Sequence, residues 1–134
     1  MAIDPRFKGA AVVLCDKDTG APYNASITDI NTSLVDLGAG EYETVAASQT
    51  AQVLGGAGAI GDFIAGLLII PATLSPGQVL LLDSATSMTI FVGGASSVTE
   101  LRPFFVRLGM KSVNGAWKVT TGANVSVIAV GNFT

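Results

Sequence analysis

Apolar residues come in short runs along most of the chain, and glycine, proline, serine and asparagine separate these runs. The runs are rich in Val, Ile, Leu, Phe and Thr, which favour a pleated sheet. Short strands separated by turn residues at regular intervals are typical of an antiparallel sandwich. The predicted strands span residues 50–54, 63–70, 78–82, 88–92, 103–108, 116–121 and 125–130. The pattern therefore predicts an all-β fold, an antiparallel β-sandwich of two packed sheets, with a jelly roll as one arrangement of this type.

Two connections near the end of the chain carry turn signals. Asn114-Gly115 lies between apolar runs, and this dipeptide is favoured in tight hairpin turns because both residues tolerate positive φ. The segment 121–124 then returns the chain into the β-branched run 125–130. The sequence thus predicts a hairpin at 113–116 and a β-meander up to the end of the chain.

The first 45 residues differ in texture from the rest. One apolar run at 10–14 is followed by clusters of Asp, Gly, Pro and Asn at 16–24, which divide a chain into short extended pieces and loops. We therefore predict an N-terminal arm or small annex over residues 1–45 and a β-sandwich domain over 46–134.

The chain is poor in charge. Hydrophobic residues make up 49% and charged residues 13%, against roughly 25% charged residues in typical globular domains. A surface with so few charges is rich in Ser, Thr and Gly or is partly covered by partners. The longest apolar run, 63–70, is shorter than the roughly 18 residues of a membrane span, and residues 1–8 lack the apolar segment of a secretory signal. We expect no membrane association.

The charges are unevenly distributed. All seven basic residues lie within 6–17 or 102–118, and the segment from Asp18 to Glu100 carries acids without a single base. Such a segment repels nucleic acid and anionic lipid surfaces. The distribution therefore disfavours nucleic acid as a partner.

Residue types used in catalysis are scarce. The chain has no histidine, which excludes a Ser-His-Asp triad, a Cys-His pair and histidine metal sites. Cys15 is the only cysteine, so no internal disulfide forms, and a small buried hydrophobe is its expected role. Glu41 and Glu43 are the closest carboxylate pair, and we interpret them as a solvated strand edge. We expect no catalytic residue, no metal and no cofactor, hence no enzyme.

One glycine-rich segment imitates a dinucleotide-binding motif. Gly56, Gly58 and Gly61 have the required spacing, and Asp83 follows at the distance expected of a ribose-binding acid. The motif needs a helix after the loop, with its N-terminus facing the pyrophosphate. The segment 62–70 is too short for that helix and ends at Pro71. An NAD-binding enzyme is therefore a disfavoured alternative.

Aromatic and arginine side chains meet in the run 102–107. Only one member of the pair Phe104-Phe105 can face the core of a sandwich, so the other faces a second layer or a partner subunit. Arg102 and Arg107 flank the pair, and aromatic residues with arginine are favoured at protein interfaces. We predict a subunit interface at these four residues. The alternative is a stacking platform for sugars or bases formed by Trp117, Phe104, Phe105 and Phe91, and core packing is favoured over it.

Three segments carry a resemblance to a known group of proteins. They are 61–73 (GDFIAGLLIIPAT), 93–98 (GGASSV) and 114–125 (NGAWKVTTGANV). In these motifs of strands and turns, residues 61–134 resemble small virion proteins of tailed bacteriophages, the group that contains capsid decoration (cement) and head-fibre proteins.

The resemblance implies a non-enzymatic component of the virion, commonly a symmetric oligomer and often a trimer, seated on the lattice of the major capsid protein. Such a protein is made in the host cytoplasm and ends on the capsid surface. Arg6, Phe7 and Lys8, in the predicted arm, are the predicted capsid attachment residues. A tail or head-fibre component with carbohydrate binding is the alternative within the same group. A secreted adhesin-like sandwich is a third possibility, but it would need a targeting signal.

Overall fold

The computed structural model describes residues 40–134. The predicted attachment residues Arg6, Phe7 and Lys8 and the lone Cys15 lie outside the described residues, as does most of the predicted arm. The described part is all-β. Its strands are β1 (Glu41–Val45), β2 (Gln52–Val53), β3 (Phe63–Pro71), β4 (Val79–Asp83), β5 (Thr86–Phe91), β6 (Phe104–Lys111), β7 (Trp117–Thr121) and β8 (Val125–Asn132).

The eight strands form two antiparallel four-stranded sheets that pack against each other. The front sheet has the order β1-β8-β3-β6, and the back sheet has the order β2-β7-β4-β5. Successive strands alternate between the sheets, except for β4 and β5, which are neighbours in the back sheet. This strand order is that of a jelly roll. The predicted all-β antiparallel sandwich is confirmed, and its jelly-roll form is established.

The core lies between the sheets and consists of alternate side chains from both. Along β8, buried and half-buried positions alternate strictly, which is the two-residue period of a strand with one face on the core. Trp117, on β7, is the largest fully buried side chain, and its indole N–H donates to the backbone carbonyl of Asp62 at 2.8 Å. Aliphatic side chains from both sheets surround it. Burial of these side chains is the main source of stability for a domain without disulfides among its described residues.

The first described strand lies on the arm side of the predicted boundary at residue 45. β1 pairs in register with β8 over all five of its residues and forms one edge of the front sheet. The sandwich therefore includes residues 41–45. By contrast, the strand predicted at 50–54 is reduced to the two residues of β2, which pair with β7.

The predicted hairpin at Asn114-Gly115 is wrong. β6 pairs with β3 in the front sheet and β7 pairs with β4 in the back sheet, so the connection between them crosses the sandwich. Neither Asn114 nor Gly115 has a positive φ. The carboxylate of Asp83, 4% exposed, instead accepts the backbone N–H groups of Val113, Asn114 and Gly115 at 2.9–3.1 Å. These bonds hold the connection against the back sheet.

The predicted C-terminal meander is wrong for the same reason. β7 lies in the back sheet and β8 in the front sheet, and the link between them is bonded to a neighbouring loop: Gly122 donates to the carbonyl of Gln78 at 2.8 Å. The one hairpin among residues 40–134 joins β4 to β5, where Asp83 pairs with Thr86 and Ser84 has a φ of 57°. The sequence pattern located these strands but not the sheet in which each one lies.

Candidate interaction surface on the front sheet

The adjacent aromatic residues at the start of β6 face opposite sides of the front sheet. Phe104 points inward, where its ring meets that of Phe91 edge-on at 5.4 Å between centroids. Phe105 points outward and is 52% exposed. This is the division that the alternation of a strand requires. Phe105 is therefore the member of the pair that is available to a partner.

The outer face of the front sheet is apolar in its centre. One row of laterally paired residues crosses all four strands: Thr44 on β1, Ile128 on β8, Leu68 on β3 and Phe105 on β6. Strands β8 and β3 are the two central strands of the sheet. The row thus places three large apolar side chains side by side on the face that points away from the core.

A second row continues the surface. It runs from Tyr42 through Val130 and Gly66 to Arg107, two residues along each strand from the first row. Tyr42 is 72% exposed. A Cβ atom at Gly66 would collide with the ring of Phe105, so this ring extends from its own row across the glycine. The front face, as we call these two rows, is a continuous apolar surface with Thr44 and Tyr42 at one edge and Arg107 at the other.

The outer face of the back sheet has a different composition. Its paired rows are Thr120, Leu80 and Thr89, and Lys118, Leu82 and Ser87. Each leucine is flanked by hydroxyl or charged side chains. Sandwiches usually present such mixed polar faces to water. The front face is therefore the exceptional one of the two.

The sequence indicates this face, although the prediction of an interface was limited to residues near Phe104. In the run 63–70, and in 125–130 apart from Ser126, both alternating positions are occupied by apolar residues or glycine, as in strands that are covered on both sides. This signal marks Leu68, Ile128 and Val130, which were not among the predicted interface residues. Tyr42 carried no such signal, because its strand was assigned to the arm.

Of the four predicted interface residues, the structure brings two together on the front face, Phe105 and Arg107. Phe104 belongs to the inner layer. Arg102 lies before β6 and forms an ion pair with Glu100 at 3.3 Å, with both side chains largely exposed. An exposed pair of this type contributes less than about 1 kcal/mol to stability. Leu101, between Glu100 and Arg102 in the chain, is 60% exposed.

The two edges of the front sheet carry opposite charges. β6 contributes Arg107 and Lys111, and β1 contributes Glu41 and Glu43. β1 and β6 are the first and last strands of this sheet. The sheet is thus basic along one edge and acidic along the other.

The carboxylates of β1 also have structural contacts. Glu41 accepts the backbone N–H of Phe133 at 2.6 Å, and Glu43 accepts that of Gly55 at 2.6 Å and the amide of Gln52 at 3.4 Å. Each glutamate therefore fixes a neighbouring segment. A carboxylate has about four acceptor positions, so these bonds do not exhaust its capacity. The pair was interpreted as a solvated edge, and the structure adds this anchoring role.

The glycine-rich loop between β2 and β3 is hydrogen-bonded to the last residue of the described range. The backbone N–H groups of Ala57 and Gly58 donate to the carbonyl oxygen of Thr134 at 3.1 and 2.7 Å. Strand β3 follows the loop directly, where a dinucleotide site requires a helix. Asp62 accepts the backbone N–H of Thr134 at 3.1 Å and that of Ala59 at 2.9 Å. The N–H groups of Ala57 and Gly58 are thus engaged by Thr134, and that of Ala59 is engaged by Asp62.

Three further features were searched for among the described residues: an exposed aromatic platform, a metal site and a membrane-spanning helix. Trp117 is 1% exposed, and Phe91 and Phe104 pack on the core, so these three rings form no exposed stacking platform. Within residues 40–134 no group of three His, Cys, Asp or Glu side chains is placed to hold a metal ion. That same range contains no helix long and apolar enough to cross a membrane.

The sequence and the structure were compared with known proteins. The chain matches no protein-family model, no curated protein and no solved structure.

Proposed function

We propose that this chain is a non-enzymatic structural protein of a tailed-phage virion, a capsid decoration protein that forms a trimer and binds the lattice of the major capsid protein. The apolar front face is the observation that carries the proposal. A jelly roll with one polar and one apolar outer face is suited to assembly, because association removes the apolar face from water. Burial of this type contributes about 25 cal/mol per Å².

The low charge content supports the same function. With 13% charged residues, much of the surface is compatible with contact between proteins, since interface centres are depleted in charge and enriched in aromatic residues. Phe105 and Arg107 lie together at one edge of the front face and are the proposed anchors of the subunit interface. Arg102 precedes β6 beside this interface, whereas Phe104 packs inward on the core.

The roles of the acidic residues support a structural function over a catalytic one. Asp62, Asp83, Glu41 and Glu43 accept backbone N–H groups that hold loops and strand ends. A general acid or base needs a carboxylate directed into a cleft beside the reacting group. These four are directed at the protein backbone.

Attachment to the capsid is assigned to the N-terminal arm, with Arg6, Phe7 and Lys8 as the contact residues. A basic, aromatic segment can pair with an acidic capsid surface or add a strand to a neighbouring sheet. Deletion of residues 1–12 then abolishes capsid binding and leaves the trimer intact. If the shortened protein still binds capsids normally, this assignment is incorrect.

The direct test of the function is co-sedimentation of the full chain with shells of the phage that encodes it. The expected result is saturable pelleting with the shells. Arg6→Glu and Lys8→Glu are each expected to reduce it, and the matched charge control is Lys118→Glu, on the outer face of the back sheet. Absence of pelleting with both expanded and unexpanded shells would contradict the proposal. The virion would then lack this protein on its surface.

A tail or head-fibre component with carbohydrate binding is the second candidate, because jelly rolls also occur in lectin domains. A glycan array distinguishes the two functions. A decoration protein gives no signal on the array, whereas a fibre tip binds a defined set of sugars.

A further inference from the structure

We propose that three copies of the chain turn their front faces toward a common three-fold axis that runs parallel to the strands, so that the β6 edge of each copy lies against the β1 edge of the next. This inference rests on the proposed function for its trimer. It adds the surface, the axis and the residues that meet. The occupant of the apolar front face is thus a second copy of the same chain.

The composition of the face supports a second copy as its occupant. The centre of the front face consists of Leu68, Ile128, Val130 and the ring of Phe105, and it contains no charge. An apolar surface of this type is complementary to itself. The polar residues lie at the rim of the face, which is the usual anatomy of a protein interface.

The opposite charges of the two edges select how the copies are arranged. A ring in which each β6 edge meets the next β1 edge places the basic edge, which carries Arg107 and Lys111, beside the acidic edge of the neighbour, which carries Glu41 and Glu43. An arrangement that places β6 against β6 brings like charges together, which costs energy. Contacts between two different patches of the same chain generate closed rings when the rotation closes. Edge complementarity therefore favours a cyclic assembly.

The width of the sheet fits three copies. Four strands at a spacing of about 4.8 Å make a face about 19 Å wide. A triangular prism with sides of that width has an inner radius of about 5.5 Å, close to half of the roughly 10 Å that separates packed sheets. Side chains from three front faces would thus fill the interior of the prism.

The lateral register identifies the residues that meet at each corner. Rotation about an axis parallel to the strands keeps the height of every residue, so the two ends of one row become neighbours across the interface. Phe105 of one copy then lies beside Thr44 of the next, and Arg107 lies beside Tyr42. The second pair brings a guanidinium to an exposed aromatic ring, a favourable cation–π contact.

Chemical cross-linking of the full chain tests this arrangement. In a Cys15→Ser background, the double variant Thr44→Cys/Phe105→Cys is treated with a short bis-maleimide and resolved on a denaturing gel. Within one copy the two cysteines are three strand spacings apart, about 14 Å, beyond the reach of a short linker. The expected product is a covalent species of three chains. Each single variant is expected to remain a single chain.

The matched control places the same two cysteines on the other sheet. Thr89→Cys/Thr120→Cys lies on β5 and β7, two strand spacings apart on the outer face of the back sheet, and no cross-linked trimer is expected. If the Phe105 substitution prevents assembly, Tyr42→Cys/Arg107→Cys in the next row gives the same expected product. Product that stops at two chains, product equal to the control, or no product from either row overturns the arrangement.

Capsid binding is read separately on the same preparations. A three-chain product without pelleting on shells keeps the arrangement and removes the decoration function. Pelleting of a protein that light scattering shows to be a monomer overturns the arrangement and keeps that function.

Discussion

Asp83 and Asn114, 31 positions apart in the chain, are joined by three hydrogen bonds: the backbone N–H of Asn114 is shared between the two carboxylate oxygens at 3.0 and 3.1 Å, and its side-chain amide donates to one of them at 3.3 Å. The same carboxylate accepts the N–H groups of Val113 and Gly115. Three consecutive donors on one buried acid fix the path by which the chain leaves the front sheet and enters the back sheet. Asp83 thereby determines a connection of the jelly roll.

Asp83→Asn is expected to lower the free energy of unfolding by about 1–3 kcal/mol, because the amide cannot accept all the N–H groups that the carboxylate accepts. Urea denaturation at a fixed protein concentration measures this change. The matched control is Glu100→Gln, an exposed acid whose replacement is expected to change stability by less than about 0.5 kcal/mol. Equal effects of the two substitutions would show that the connection does not depend on Asp83.

The glycine-rich loop gives a prediction that separates a structural from a nucleotide-binding role. Gly58 has a φ of 68°, and a Cβ atom there would collide with Ala116. At Gly56 a Cβ atom would meet no atom within 4 Å, and φ is not positive. Gly58→Ala is therefore expected to destabilise the protein by at least about 1 kcal/mol, whereas Gly56→Ala has little effect.

Thermal unfolding of the two glycine variants checks this difference. In a dinucleotide site the first glycine forms the tight turn and is as sensitive as the second. Equal sensitivity of Gly56 and Gly58, together with saturable binding of NAD, would contradict the structural role of the loop.

The two aromatic residues of β6 are expected to respond differently to substitution. Phe104→Ala removes a ring that packs on Phe91 and the core, so it lowers stability by about 1–3 kcal/mol and leaves the mass of the folded protein unchanged. Phe105→Ser shifts the mass toward the monomer and makes the melting temperature depend more steeply on protein concentration. Light scattering and a melting series in concentration separate these effects. A Phe105→Ser protein with unchanged mass and melting temperature would contradict its interface role.

The single tryptophan reports directly on the core. Because Trp117 is 1% exposed, the native emission maximum is expected at a shorter wavelength than that of a solvated indole, and it moves to longer wavelength on unfolding. Both positions are measured by fluorescence in native buffer and in urea. A native maximum already at the solvated position would show that β7 does not bury its indole as described.

The sequence pattern predicted the strands well, since apolar runs bounded by glycine and proline mark strands wherever they pair. Six of the seven predicted strands correspond to β3–β8, with ends shifted by a few residues. The sequence pattern did not predict which strands the connecting segments join within one sheet and which they join across the two sheets. The Asn-Gly signal is local, whereas the path from β6 to β7 depends on Asp83, which comes earlier in the chain.

The limits of the sequence at the interaction surface have a similar cause. The adjacent Phe104 and Phe105 predicted that one ring would face outward, because alternation is a local property of a strand. Prediction of the front face would require the strand order of the sheet, because Phe105, Leu68 and Ile128 are distant in sequence and become neighbours only through strand pairing. Tyr42 belongs to this surface because β1 pairs with β8.

The mass of the full chain by light scattering, followed on the same sample by co-sedimentation with tailed-phage shells, is the most direct test of the proposed function and arrangement. The account predicts the mass of three chains and saturable pelleting with the shells. A monomer that remains in the supernatant at every shell concentration would contradict it.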